Sequence, residues 1–136
     1  MSSEAELNTL TARFNTQFSA SQPTVSIAWP NIEFTPTTGS PWVRFSLRSA
    51  DASQVGFGSS AVRDRFLGTV FVQVFTPIDQ GASPALQIAD DAAAALRRYS
   101  TTGLFTRTPL IQAIGPTGDG WYQVNVSVPY QRDEDF

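Results

Sequence analysis

The chain contains no cysteine, no histidine and no lysine. Without cysteine there can be no disulfide, no thiolate nucleophile and no sulfur-ligated metal. Without histidine the commonest general base and the commonest transition-metal ligand are both missing. All nine basic residues are arginines, offset by 12 acidic ones, for a formal net charge of -3. That balance argues against nonspecific nucleic-acid binding, which needs a basic surface to displace counterions. No apolar run approaches the ~20 residues that span a bilayer. The opening "MSSEAELNTL" lacks the basic-then-apolar order of a secretory signal. The expectation is a protein that is soluble and intracellular at synthesis.

What is present is a core-forming chain. Hydrophobic residues make up 41% of the 136 positions, and a chain of this length is expected to form one domain, 1–136, burying roughly two-thirds of its unfolded surface. Ser3 with Glu6 has the spacing of a capping box, and Leu7, Leu10, Phe14 and Phe18 follow at helical spacing, predicting a helix over 4–19. Val25, Ile27 and Trp29 alternate as a short strand. "PNIEFTPTTGSP" follows, with prolines that keep it out of a sheet interior. "WVRFSLR" (42–48) alternates, with Trp42, Arg44, Ser46 and Arg48 on one face. "SADASQVGFGSSAVRD" reads as a long polar loop over 49–63.

"RFLGTVFVQVFTP" (65–77) is the strongest strand signal. Phe66, Val70, Val72 and Val74 line one side, and Leu67, Thr69, Phe71, Gln73 and Phe75 the other, so both faces are largely apolar. Ser83 before Pro84 signals a helix start, with Ser83 as the cap of a helix over about 84–98. Its stripe is Ile88, Ala89, Ala92, Leu96 and Tyr99. "LFTRTPLIQAIG" supplies one or two weaker strands. In "GWYQVNVSVPYQRDEDF", Tyr122, Val124, Val126, Val128 and Tyr130 alternate as a last strand, and 131–136 reads as a charged tail. The predicted class is α+β: a mostly antiparallel, mixed β-sheet with two α-helices packed on one face.

Several motifs invite chemistry. "GFGSSA" (56–61) matches a dinucleotide fingerprint, but the mechanism requires a strand before it and a helix after it, and here strand-like residues follow. Asp90 and Asp91, adjacent on a helix, point about 100° apart and do not converge on one ion. "DEDF" reads as a charged terminus before it reads as a calcium site. A nucleophilic serine would need a carboxylate or an N-terminal amine as its base. The expectation is therefore no catalytic residue, no cofactor and no metal. A candidate contact surface fits the residue chemistry better. Arg44 and Arg48 share a strand face, Arg63 and Arg65 follow the loop, and arginine is enriched at interfaces. Val55 and Phe57 are apolar residues in the polar 49–63 segment. Two helices cover only one side of the sheet, so Phe71 and Phe75 need another cover, from loops or from a neighbouring subunit.

"IAWPNIEFTP", the Gly39–Pro41 turn before "WVRFSL", "GTVFVQVFTP", "ALQIADDAAAAL" and "IGPTGDGWYQVNVSVPYQRDE" together resemble the tail terminator-like proteins of long-tailed bacteriophages, over about residues 8–134. The resemblance implies an α/β sandwich and a non-enzymatic, hexameric ring. Such a ring caps the tail tube, stops its polymerisation and forms the head-joining surface. The implied partners are further copies of the chain, the tail tube protein and head–tail connector proteins, with DNA only as cargo and no membrane. The implied location is the head-proximal end of the virion tail, with assembly in the host cytoplasm. A head–tail connector or tail completion protein is the alternative within phage assembly. A small hydrolase and a monomeric binding module are the alternatives outside it.

Overall fold

The computed structural model describes residues 2–57 and 62–135, with side chains for 2–55 and 63–134. The elements run α1 (Ser3–Ser21), β1 (Ser26–Ala28), β2 (Trp42–Phe57), β3 (Val62–Pro77), α2 (Ser83–Leu96), β4 (Ser100–Thr101), β5 (Leu104–Thr106), β6 (Leu110–Pro116) and β7 (Trp121–Asp135). They form one mixed sheet in the order β1-β2-β3-β7-β5-β4, with β6 alongside β5 on the same edge of β7. Only β1 and β2 pair in parallel. The segment 29–41 makes their crossover, and Pro30, Pro36 and Pro41 keep it irregular.

Both helices cover one face, as the sequence predicts. Leu10, Phe14 and Phe18 of α1 are fully buried, as are Ala89, Ala92 and Leu96 of α2. They meet Val43 and Phe45 of β2, Val70, Val72 and Val74 of β3, and Val124, Val126 and Val128 of β7. Phe14 stacks on Phe18 at 4.8 Å and reaches Phe45 at 5.1 Å. The alanines of α2 let it approach α1, where Arg13 Nε donates to Ala95 O (2.9 Å). Gln22 Nε2 donates to Asp91 Oδ2 (2.6 Å), so Asp91 ties one helix to the other.

Four expectations need correction. The cap of α1 is Ser2, whose hydroxyl accepts from Ala5 N (3.1 Å), one residue before the expected Ser3. The residue before α2 is Ala82, with no side-chain cap, and Ser83 is already helical. Within the 49–63 segment, residues 49–57 and 62–63 are strand, not loop: β2 continues to Phe57 and pairs with β3 from Trp42↔Phe75 to Phe57↔Val62, and 58–61 lie outside the described residues. Bulges at Ser49/Asp51 and Val55/Phe57 absorb one residue each, which hides the alternation from a sequence reading. Residues 131–135 do not form a tail either, because β7 runs on to Asp135 and pairs with β3 up to Arg63↔Asp135, while Phe136 lies outside the described residues.

The reason for the long β7 lies on the helix side. Arg132, on the same face as Tyr130, points back to α1, where its Nε donates to Glu6 Oε1 (2.9 Å). Its guanidinium also lies 4.0 Å from the Phe66 ring and pairs with Glu134 (2.7 Å). Tyr130 OH donates to the other Glu6 oxygen (3.1 Å). Glu6 and Arg132 are both buried, so each charge depends on the other. The Tyr130 ring crosses directly over Gly68, where a Cβ would come within 2.5 Å of it.

A candidate assembly surface on the far face of the sheet

Strand registers decide which side chains share the face away from the helices. Arg44, Ser46 and Arg48 of β2 lie opposite Gln73, Phe71 and Thr69 of β3. Past the first bulge, Val55 pairs with Arg63, and Arg65 pairs with Ser53. Seven of the eight residues singled out in the sequence (Arg44, Arg48, Val55, Arg63, Arg65, Phe71 and Phe75) thus belong to one sheet face. The eighth, Phe57, ends β2 and its side chain lies outside the described residues.

The two aromatic residues of this face are covered to different extents. Phe75 is buried, stacked on Trp42 at 4.3 Å, with Phe34 from the 29–41 segment and Trp121 completing a second small cluster. At that end of the strand the chain supplies its own cover. Phe71 remains half-buried under Arg48, whose guanidinium sits 5.5 Å from the ring. Arg44 lies 5.3 Å from Trp42 and 5.6 Å from Phe75, and donates to Gln73 Oε1 (3.4 Å). The indole nitrogen of Trp42 is buried with no hydrogen-bond partner among the described residues.

Further along, Arg65 grips Asp133 through two hydrogen bonds (3.0 and 3.2 Å). That contact raises the Arg65 pKa and holds the Asp133 carboxyl below its ordinary value. Arg107, not singled out in the sequence, joins this face by donating to Gln131 Oε1 (2.8 Å) and lying 5.6 Å from the Phe105 ring. Its alternation is invisible in the short β4–β5 region, where strands of two and three residues carry no periodicity. The result is a face of arginines laid over aromatic rings. Such guanidiniums present planar donors while their stems cover apolar surface, an arrangement suited to binding carboxylates or phosphates rather than to proton transfer.

The motif "GFGSSA" begins in the last two residues of β2, Gly56 and Phe57, and its residues 58–61 lie outside the described residues. The flanking elements are two antiparallel strands, so the strand-to-helix context of a dinucleotide fingerprint is not met. Among the described residues, no group of three or more acidic side chains is placed to hold a metal ion. No helix among them is long and apolar enough to cross a membrane.

A sequence model of the family described as phage tail terminator protein matches residues 7–130. No curated protein matches the chain. A solved structure 24% identical in sequence superposes with a TM-score of 0.65, covering 96% of each chain, and at that identity the likeness speaks for the fold alone. The family match spans both helices, the crossover and all seven strands up to Tyr130, and with it the chain belongs to the phage tail terminator protein family, whose members are structural components of the virion tail.

Proposed function

We propose that this chain is a non-enzymatic assembly protein that closes into a hexameric ring on the finished tail tube, ends tube polymerisation and presents the surface to which the head joins. The observation that carries this reading is the family match across 7–130. The arginine-on-aromatic face supports it physically. Arg44, Arg48 and Arg107 lie over aromatic rings on one side of a molecule that is acidic as a whole, while Arg65 on that side is paired with Asp133. Such a side attracts an acidic partner surface, and charge complementarity sets register and orientation more than raw affinity. It is the candidate surface for the tail tube or a neighbouring subunit, with head–tail connector proteins as the next partners and DNA passing only as cargo. The working location is the head-proximal end of the tail, reached by assembly in the host cytoplasm.

Sedimentation of the purified chain at rising concentration, with and without tail tube protein, tests the ring. A hexamer is expected in at least one condition. A monomer in every condition, tube included, contradicts the proposal. A second measurement addresses chemistry. A ligand that prefers the folded state raises the melting temperature by mass action, so no shift is expected with a divalent metal or a dinucleotide.

A further inference from the structure

Three neighbouring strands share a small polar cup on the face away from the helices. Ser46 and Arg48 of β2, Phe71 and Gln73 of β3 and Asn125 of β7 line a hollow of about 180 Å³. The register brings them together, since Ser46 lies opposite Phe71 and Gln73 opposite Asn125. Phe71 supplies the apolar part of the wall, with the Arg48 guanidinium 5.5 Å from its ring. Among the described residues, no Asp or Glu lines the cup.

Its chemistry is decided by which amide atoms are already engaged. Arg44 Nη1 donates to Gln73 Oε1 (3.4 Å), and Gln123 Nε2 donates to Asn125 Oδ1 (2.7 Å). Both amide oxygens are thus taken, while the NH₂ groups of Gln73 and Asn125 meet no acceptor among the described residues. The Arg48 guanidinium has the Phe71 ring beside it and no carboxylate or carbonyl among those residues. The cup is therefore rich in donors and poor in acceptors. An ionised carboxylate only accepts, at about four lone-pair sites on two oxygens, which matches such a lining. The guanidinium adds to the match, because charge-assisted hydrogen bonds are roughly twice as strong as neutral ones.

We infer that this cup seats the carboxylate of an Asp or Glu side chain presented by a protein partner. Two observations favour that carboxylate over a nucleic-acid phosphate. Duplex binding draws its strength from neutralising several phosphates at once, and the cup is lined by one cation, while Arg44 beside it lies against Trp42 and Phe75. The chain as a whole carries a formal net charge of -3, which repels a polyanion. The inference deepens the proposed function and rests on it only for the partner being a protein: that reading asks for an acidic partner surface, and the cup is the point at which one acidic side chain docks.

The side-chain NMR signals of an isotope-labelled chain test this without any assembly. The probe is N-acetyl-glutamate amide, and N-acetyl-glutamine amide is its uncharged counterpart, both in low-chloride buffer at neutral pH. The glutamate probe is expected to shift the Gln73 and Asn125 NH₂ signals and the Arg48 Nε signal saturably, and the glutamine probe to leave them in place. Asn125→Asp puts the chain's own carboxylate into the cup, and Arg48→Gln removes its cation. Either should abolish the remaining shifts while keeping a folded backbone spectrum. No saturable shift with the glutamate probe overturns the inference, and so do shifts that persist in both variants. Dimethyl phosphate or a short DNA duplex that shifts these signals at lower concentration than the glutamate probe overturns it in favour of nucleic acid. Arg48 is exposed, so Arg48→Gln keeps the test open should Asn125→Asp fail to fold. The result is separable from the ring. A hexamer by sedimentation with an inert cup sinks this inference alone, and a responsive cup on a chain that stays monomeric with tail tube protein sinks the ring alone.

Discussion

Gly68 and Tyr130 show how one small residue can be fixed by a distant large one. The Tyr130 ring is held from below by its hydrogen bond to Glu6 and is almost completely buried, so it cannot yield to a Cβ at Gly68. Gly68→Ala is expected to destabilise the fold by about 1–3 kcal/mol, the usual cost of overpacking a closed site. Chemical denaturation measures this, and adding Tyr130→Ala should make the Gly68→Ala step nearly neutral. Burial, and then the Glu6 charge, push the Tyr130 hydroxyl up to about 12. A pKa raised by folding contributes stability that is whole below the unfolded value of about 10 and is lost as pH rises toward 12. Stability should therefore fall through that window, and Tyr130→Phe should flatten the fall. A denaturation series between about pH 9 and about pH 12 reads both.

The helices and the inner strand faces were legible in the sequence because their periodicity is unbroken. Leu10, Phe14 and Phe18, and Val124, Val126 and Val128, occupy the core positions that their spacing predicts. Two things were not legible. The bulges at Ser49/Asp51 and Val55/Phe57 shift the phase of β2, so an alternating strand read as a polar loop. Arg132 hid the continuation of β7, since a buried arginine looks in sequence like a solvated end until Glu6, far away in the chain, is known to meet it. The candidate surface was legible because Arg44 and Arg48 share strand parity, and β3 carries the same parity to Arg63. The donor cup was not, because it depends on which amide oxygens, those of Gln73 and Asn125, are already engaged. The corrected boundary reverses an expectation. Removing Asp133–Phe136 deletes the Arg65–Asp133 and Arg132–Glu134 pairs together with the last rungs of the β3–β7 ladder. The truncated chain should melt clearly below the full one, where a solvated tail would have left the melt unchanged. Thermal melts of the two decide it.

Taken as one body, the protein separates its tasks by direction. The helices close the inner face, and the arginine face is the surface proposed to meet the tail tube or a neighbouring subunit. Arg44 and Arg48 are exposed, and substitutions at such positions usually change stability by less than about 0.5 kcal/mol. Arg44→Ala with Arg48→Ala is therefore expected to leave the melt nearly unchanged while reducing the fraction of tails joined to heads. Complementation of a defective phage, scored by infectivity and by electron microscopy of tail lengths, checks this. Full complementation would remove the face from the assembly surface.

The place of β7 also bears on when the protein becomes itself during synthesis. It is the last strand in chain order, yet it supplies the partner for β3 along one edge and for both β5 and β6 along the other. A chain still being made presents an open β3 edge, an unclosed core and an orphan β6. Pairings this distant in sequence are slow to form, because loop closure comes before its reward. β6 is thus stiffened by the same event that completes the β3–β7 ladder, so chains lacking β7 have no formed β6 strand. Ribosome-held chains ending before Trp121 should stay open to protease, and chains extending past Asp135 should resist it.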